Sequence, residues 1–132
     1  MIHEDYVSFE QAQKLKELGF DWECIGVYDS ERPLGLIALD TQAKSPTNWN
    51  GNTDFDEIFS APTLAQAAKW LREKKGIDIT PIPVTRDDER KYRWALDRLN
   101  PRLQDWTDDI INNYEQALSA GIDKALEILK QK

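Results

Sequence analysis

Two stretches of this chain carry their own start and stop signals for a helix, and the residues between and beyond them read as paired strands. Ser8-Phe9-Glu10-Gln11 is a capping box, in which the Ser8 hydroxyl and the Gln11 side chain each satisfy a backbone N–H left free at a helix start. Ala12, Leu15 and Leu18 recur at helical spacing, and Gly19 suits the left-handed position after the last turn, with Phe20 folding back on Leu15. Thr63-Leu64-Ala65-Gln66 repeats the box. Leu64, Ala67, Ala68 and Leu71 form an apolar face behind it, and Gly76 closes a lysine-rich last turn with Ile77 returning to Leu71. A third helix is predicted from about Asn113, where Tyr114, Leu118, Ile122, Ala125 and Leu129 make one stripe. Gly121 inside it costs about 1 kcal/mol relative to Ala, which points to a close approach where no side chain fits.

Strands fill the remainder. Glu23 to Asp29 and Leu34 to Asp40 are rich in Ile, Val, Leu and Tyr, with Ser30-Glu31-Arg32-Pro33 as the turn, and the isolated Gly26 and Gly35 mark a bulge or a close backbone neighbour. A long polar loop follows at about 41–62, carrying Trp49, Phe55, Ile58 and Phe59, with Asn50-Gly51 able to turn a short hairpin. Ile77 and Ile79 open a strand that Pro81 and Pro83 restrict to a sheet edge, since neither can donate to a ladder. Its partner is Lys91 to Leu99, with Tyr92, Trp94 and Leu96 on one face and Lys91, Arg93 and Asp97 on the other. Thr85 to Arg90 joins the two as a charged loop, and Arg102 to Asp109 is read as a loop holding Trp106. The expected fold is α+β in the order α-β-β-α-β-β-α, a single domain over 1–132 in which two hairpins form an antiparallel sheet covered by three helices.

Composition narrows the function classes. A single cysteine, Cys24, excludes an intramolecular disulfide and a cysteine zinc cluster, and the single histidine, His3, stands near the N-terminus. The opening Met-Ile-His-Glu-Asp has no basic n-region and no apolar run follows, so a cytoplasmic setting is expected, and no window approaches the roughly 20 apolar residues of a membrane span. Net charge is −7, which disfavours nucleic acid. The charge is uneven: residues 1–66 hold 12 acidic and 4 basic side chains, −8, and residues 67–132 hold 12 and 13, +1.

Candidate chemistry is sparse. Asp54, Asp56 and Glu57, or Asp105, Asp108 and Asp109, are the densest acids, and both sets read as solvated loops with no basic partner fixed by spacing. Cys24 sits in a strand and reads as a buried structural thiol. The glycines are scattered, so no phosphate loop exists and no catalytic residue, metal or cofactor is assigned. Of five tryptophans, Trp49 in the polar loop and Trp70 between the charged neighbours Lys69 and Arg72 are expected to be the most exposed. Arg86, Arg90, Lys91 and Arg93, with Tyr92 and Trp94, make the hairpin at about 79–99 the best nucleic-acid candidate. Trp49, Trp70, Arg90 and Arg93 are therefore the candidate binding residues.

The run Ser60-Ala61-Pro62-Thr63-Leu64-Ala65-Gln66-Ala67-Ala68-Lys69-Trp70-Leu71-Arg72-Glu73-Lys74-Lys75-Gly76-Ile77 resembles a group of small proteins of Bacteroides-type gut bacteria and their phages that have no assigned activity. Val7 to Ala12 running to Phe20, and Tyr114 to Ile122 running to Leu129, carry the same resemblance. These stretches are caps, apolar stripes and terminating glycines, so the resemblance implies a phage or mobile-element setting and transfers no functional residue. The expectation is a non-catalytic accessory protein whose acidic first half meets a basic protein partner, with single-stranded nucleic acid on the 79–99 hairpin as the alternative.

Overall fold

The computed structural model describes residues 6–24, 26–29, 32–36, 50, 58–99 and 102–130. Two compact units divide it, Met1–Gln66 and Ala67–Lys132.

In the first unit, α1 (Phe9–Glu17) begins at the expected capping box: Gln11 N–H donates to Ser8 Oγ at 3.1 Å, and Ser8 N–H donates to Gln11 Oε1 at 2.8 Å. It ends as expected too. Gly19 has φ +95°, and Phe20 N–H and Gly19 N–H donate to Leu15 O and Lys16 O at 2.9 and 3.0 Å, the paired bonds of a glycine-closed terminus. β1 (Gly26–Asp29) pairs antiparallel with β2 (Arg32–Leu36), the first hairpin, and on its other side with β3 (Ile58–Ala61). Gly26 stands opposite Ala61, and a Cβ there would run into the Ala61 carbonyl and the Tyr6 ring, so this glycine marks a close backbone approach. The end of the polar loop at 41–62 is thus a strand; Asn50 N–H donates to Ser60 Oγ (3.0 Å), Ser60 N–H to Asn50 Oδ1 (2.8 Å) and Asn50 Nδ2 to Phe20 O (3.0 Å). Gly51 and the rest of that loop lie outside the described residues.

The helix α2 (Leu64–Lys75) starts with half of its expected box. Gln66 N–H donates to Thr63 Oγ1 at 3.1 Å, but the Gln66 side chain donates to Glu23 O at 2.8 Å instead of turning back. Gly76 closes the helix at φ +70°.

In the second unit, β4 (Ile77–Arg86) and β5 (Glu89–Arg98) form a ten-residue ladder, and β6 (Leu103–Trp106) pairs with β5. The sheet order is β4-β5-β6, with β4 at an edge as its prolines require. Pro81 and Pro83 stand opposite Trp94 and Tyr92, whose own main-chain groups bond the other way, to Thr107 at 3.1 Å and Ile111 at 2.8 Å. The missing proline N–H groups therefore point out of the sheet, where they cost no hydrogen bond and deny an incoming strand a donor.

The α+β class and the α-β-β-α-β-β-α order hold, with one short strand added after each hairpin. Further details differ from expectation: β2 begins at Arg32, so Arg32 and Pro33 of the expected turn belong to the strand. The hairpins build two three-stranded sheets, β2-β1-β3 and β4-β5-β6, because each acquires its own third strand. Thr85 to Arg90 is continuous with the strands except for Asp87 and Asp88, whose φ of 52° and 61° give a two-residue turn of the kind that Asp tolerates. Leu103 to Trp106 is a strand, not a loop.

The helix α3 (Tyr114–Lys130) opens with Gln116 N–H donating to Asn113 Oδ1 at 2.8 Å and buries Leu118, Ile122, Ala125 and Leu129 of the expected stripe. Gly121 seats it on the sheet. A Cβ at that position would stand 2.6 Å from Ile79 Cγ2 and 3.3 Å from Trp94 Cβ, and neither neighbour is the yielding tip of a long side chain. Gly121→Ala should accordingly lower stability by about 1–2 kcal/mol in urea denaturation, overpacking strain exceeding the roughly 1 kcal/mol of added helix propensity.

Candidate functional site

Antiparallel register sorts the second sheet into two faces. Ile79, Leu96 and Asp105 stand side by side on one, with Pro81 and Trp94 in the next row and Pro83 and Tyr92 beyond. α3 covers this face: Gly121 meets Ile79 and Trp94, Tyr114 packs edge-on against Tyr92 with centroids 5.8 Å apart, and Lys124 Nζ reaches Asp105 at 4.0 Å. Tyr92 and Trp94 are therefore turned to the helix with Leu96, as the alternation requires, and are not free for stacking bases.

The other face carries Asp78, Asp97 and Gln104 in one row, Thr80, Ala95 and Trp106 in the next, then Ile82 with Arg93, Val84 with Lys91, and Arg86 with Glu89. None of these residues is buried. Trp106 is 62% exposed and Ile82 41%, on the two edge strands of a face that no described helix covers. Such a surface exposes tryptophan and arginine together, the pair most enriched at binding hot spots. Acids occupy the row nearest Gly76, and the basic side chains lie toward the hairpin tip.

Arg93 is the best-defined group on this face. Its Nε is a buried atom with no hydrogen-bond partner among the described residues, and no carboxylate there lies within ion-pair range of it. An unmet buried donor costs about 1–3 kcal/mol. Beside it the chain bulges: three residues, 108–110, separate Thr107 from Ile111 where β5 spends one, Arg93, between Trp94 and Tyr92. Asp109 N–H donates to Thr107 Oγ1 at 3.1 Å in this bulge. Lys91 is already engaged, with Glu89 Oε2 at 3.2 Å and Asn112 Oδ1 at 3.2 Å.

The expected binding residues fare unequally. Arg93 is on the open face. Arg90 is exposed but stands opposite Thr85 on the helix-covered side, because an odd separation along a strand puts the two arginines on opposite faces. Trp70 is 2% exposed, not the surface residue expected from its charged neighbour Lys69: it follows Ala67 by three and precedes Leu71, so it joins the apolar stripe of α2, and Lys75 Nζ lies 5.6 Å from its ring. Trp49 lies outside the described residues, as do Asp54, Asp56 and Glu57. Asp105, Asp108 and Asp109 do not converge, since Asp105 faces α3 while the other two sit exposed in the bulge. Trp106 is a site residue that the sequence does not single out, because the alternation of β6 over Leu103–Trp106 is too short to stand out.

Among the described residues no three His, Cys, Asp or Glu side chains gather as metal ligands, and no helix is long and apolar enough to cross a membrane. No protein-family model, curated protein or solved structure matches this chain.

In the first unit, Cys24 is buried and its thiol donates to Gly26 O at 3.4 Å. Desolvation pushes its pKa up, against smaller opposing effects from Ser60 and the Ala61 backbone, so the thiol stays neutral and a poor nucleophile. Tyr28, whose hydroxyl donates to Val7 O at 2.8 Å, is also raised by burial. Both groups hold their protons more tightly folded than unfolded. The stability they contribute is complete below their ordinary values of 9.0 and 10.0 and is lost as pH rises through the higher folded values. Urea denaturation should show a loss between about pH 8 and pH 10.5 that is smaller in Cys24→Ala and in Tyr28→Phe than in the parent chain, and equal losses in all three would contradict the assignment.

Proposed function

We propose that this chain is a non-catalytic accessory protein that binds another protein, and that the open face of the β4–β5–β6 sheet is the contact surface. The carrying observation is Trp106, 62% exposed on a face that no described helix covers, beside an arginine whose Nε has no partner among the described residues. A sheet face with an exposed edge-strand aromatic, small residues in its row and charges at both ends suits a protein surface better than a small molecule, which calls for a concave site. The acidic first half, including the exposed Glu10, Glu17, Asp21 and Glu23, adds long-range attraction toward a basic partner rather than the contact itself. The proposed setting is cytoplasmic, and the resemblance to phage-associated proteins supports a mobile-element role.

A second reading is single-stranded nucleic acid. One observation favours it: Trp106 shares its face with Arg86, Lys91 and Arg93, a stacking ring beside cations. Asp78, Asp97 and Glu89 on that face, and a net charge of −7, oppose phosphate.

Paired affinity captures with the parent chain, Trp106→Ala and Glu10→Lys as baits separate the two surfaces. Trp106→Ala should weaken capture of a specific partner on the order of tenfold or more, while Glu10→Lys changes it little. Capture that survives Trp106→Ala and fails with Glu10→Lys would move the contact to the acidic half.

A further inference from the structure

Resting on the reading of the open sheet face as a protein-binding surface, we infer that its partner is a second copy of this chain, paired face to face about a two-fold axis that passes over Ala95. The observation is a spacing. Arg93 and Asp97 are on the same face of the same strand, two residues on either side of Ala95, and neither has an ion-pair partner among the described residues. Four residues along a strand are about 13 Å, too far for the two to meet within one chain. A two-fold axis lying between the facing sheets and running across the strands reverses strand direction. It therefore sets Asp97 of each copy over Arg93 of the other, forming both pairs at once, as an isologous interface requires.

The rest of the face fits that operation. Thr80, Ala95 and Trp106 share the row along which the axis runs, so each faces its own copy: the two Trp106 rings meet on the axis and the small Ala95 leaves room between them and Thr80. The same operation sets Asp78 over Ile82 of the other copy, and the face as a whole is balanced, with Asp78, Glu89 and Asp97 against Arg86, Lys91 and Arg93. A nucleic acid would satisfy Arg93 but meet Asp97 as repulsion. A two-fold copy satisfies both residues. The prolines at Pro81 and Pro83 disfavour strand addition at the β4 edge. A three-stranded face lies near or below the low end of stable interfaces, roughly 1,200 Å² in total, so the expected dissociation constant is micromolar.

Sedimentation equilibrium of the full chain, from about 1 to 500 µM to bracket a micromolar constant, tests the inference with the variants Arg93→Asp, Asp97→Arg and Trp106→Ala. The parent chain should dimerise, and each variant alone should weaken dimerisation on the order of tenfold or more. Arg93→Asp mixed with Asp97→Arg should dimerise again, because the mixed pair restores two opposite-charge contacts; only folded chains can do this, so rescue also controls for misfolding. A parent chain that stays monomeric, or a mixture that shows no rescue, overturns the inference. A monomer whose capture of a different protein depends on Trp106 overturns the second copy and leaves the protein-binding reading standing. A dimer indifferent to all three variants overturns both. Salt-sensitive binding of a labelled single-stranded oligonucleotide that competes with dimerisation overturns both in favour of nucleic acid.

Discussion

The seating of α3 on the second sheet depends on the absence of a side chain at Gly121. With only hydrogen there, the helix backbone comes down on Ile79 and Trp94, and Tyr114, Lys124 and the buried row of Ala117, Leu118 and Ile122 take their places from that contact. Because strand side chains alternate, covering one face with a helix consigns the other to solvent. Trp106 and Asp97 are exposed, and Arg93 lies on their side, for the same reason that Trp94 and Leu96 are turned to the helix. The functional reading of the open face is in this sense a consequence of a packing decision made on the opposite side of the sheet.

Helix ends and close approaches were legible from local chemistry. The Ser8–Gln11 box, the positive φ at Gly19 and Gly76 and the crowding at Gly26 and Gly121 each follow from a residue type that few alternatives could replace. Face assignment on β5 was legible too, because Tyr92, Trp94 and Leu96 repeat every second residue over a long strand. What escaped was short or borrowed. Ile58–Ala61 and Leu103–Trp106 are four residues each, and they are strands because β1 and β5 offer them free edges, a tertiary fact with no signature in their own composition. The turn at Asp87-Asp88 has no glycine, so it looks like a charged loop until both residues are found at positive φ.

The candidate site was half visible for related reasons. Arg93 belonged to a recognisable basic cluster, but Arg90 was grouped with it by proximity in sequence, and strand parity separates them. The charged neighbours of Trp70 in sequence are uninformative, because helix spacing, not adjacency, decides burial. Trp106 became significant only once β6 existed to hold it beside Ala95. The spacing of Arg93, Ala95 and Asp97 acquires meaning in the same way: charges four apart on a strand cannot pair within it, and a symmetric partner is the simplest arrangement that pairs both.

The binding face depends on Trp106 lying in solvent where no described helix covers it. Its most direct test is the tryptophan fluorescence of the dilute chain, as the difference between the parent and Trp106→Phe with acrylamide as quencher. The lost component should be red-shifted and readily quenched, in contrast to the buried Trp70 and the half-buried Trp94. A lost component that is blue-shifted and resistant to quenching would place Trp106 under cover and contradict the open face.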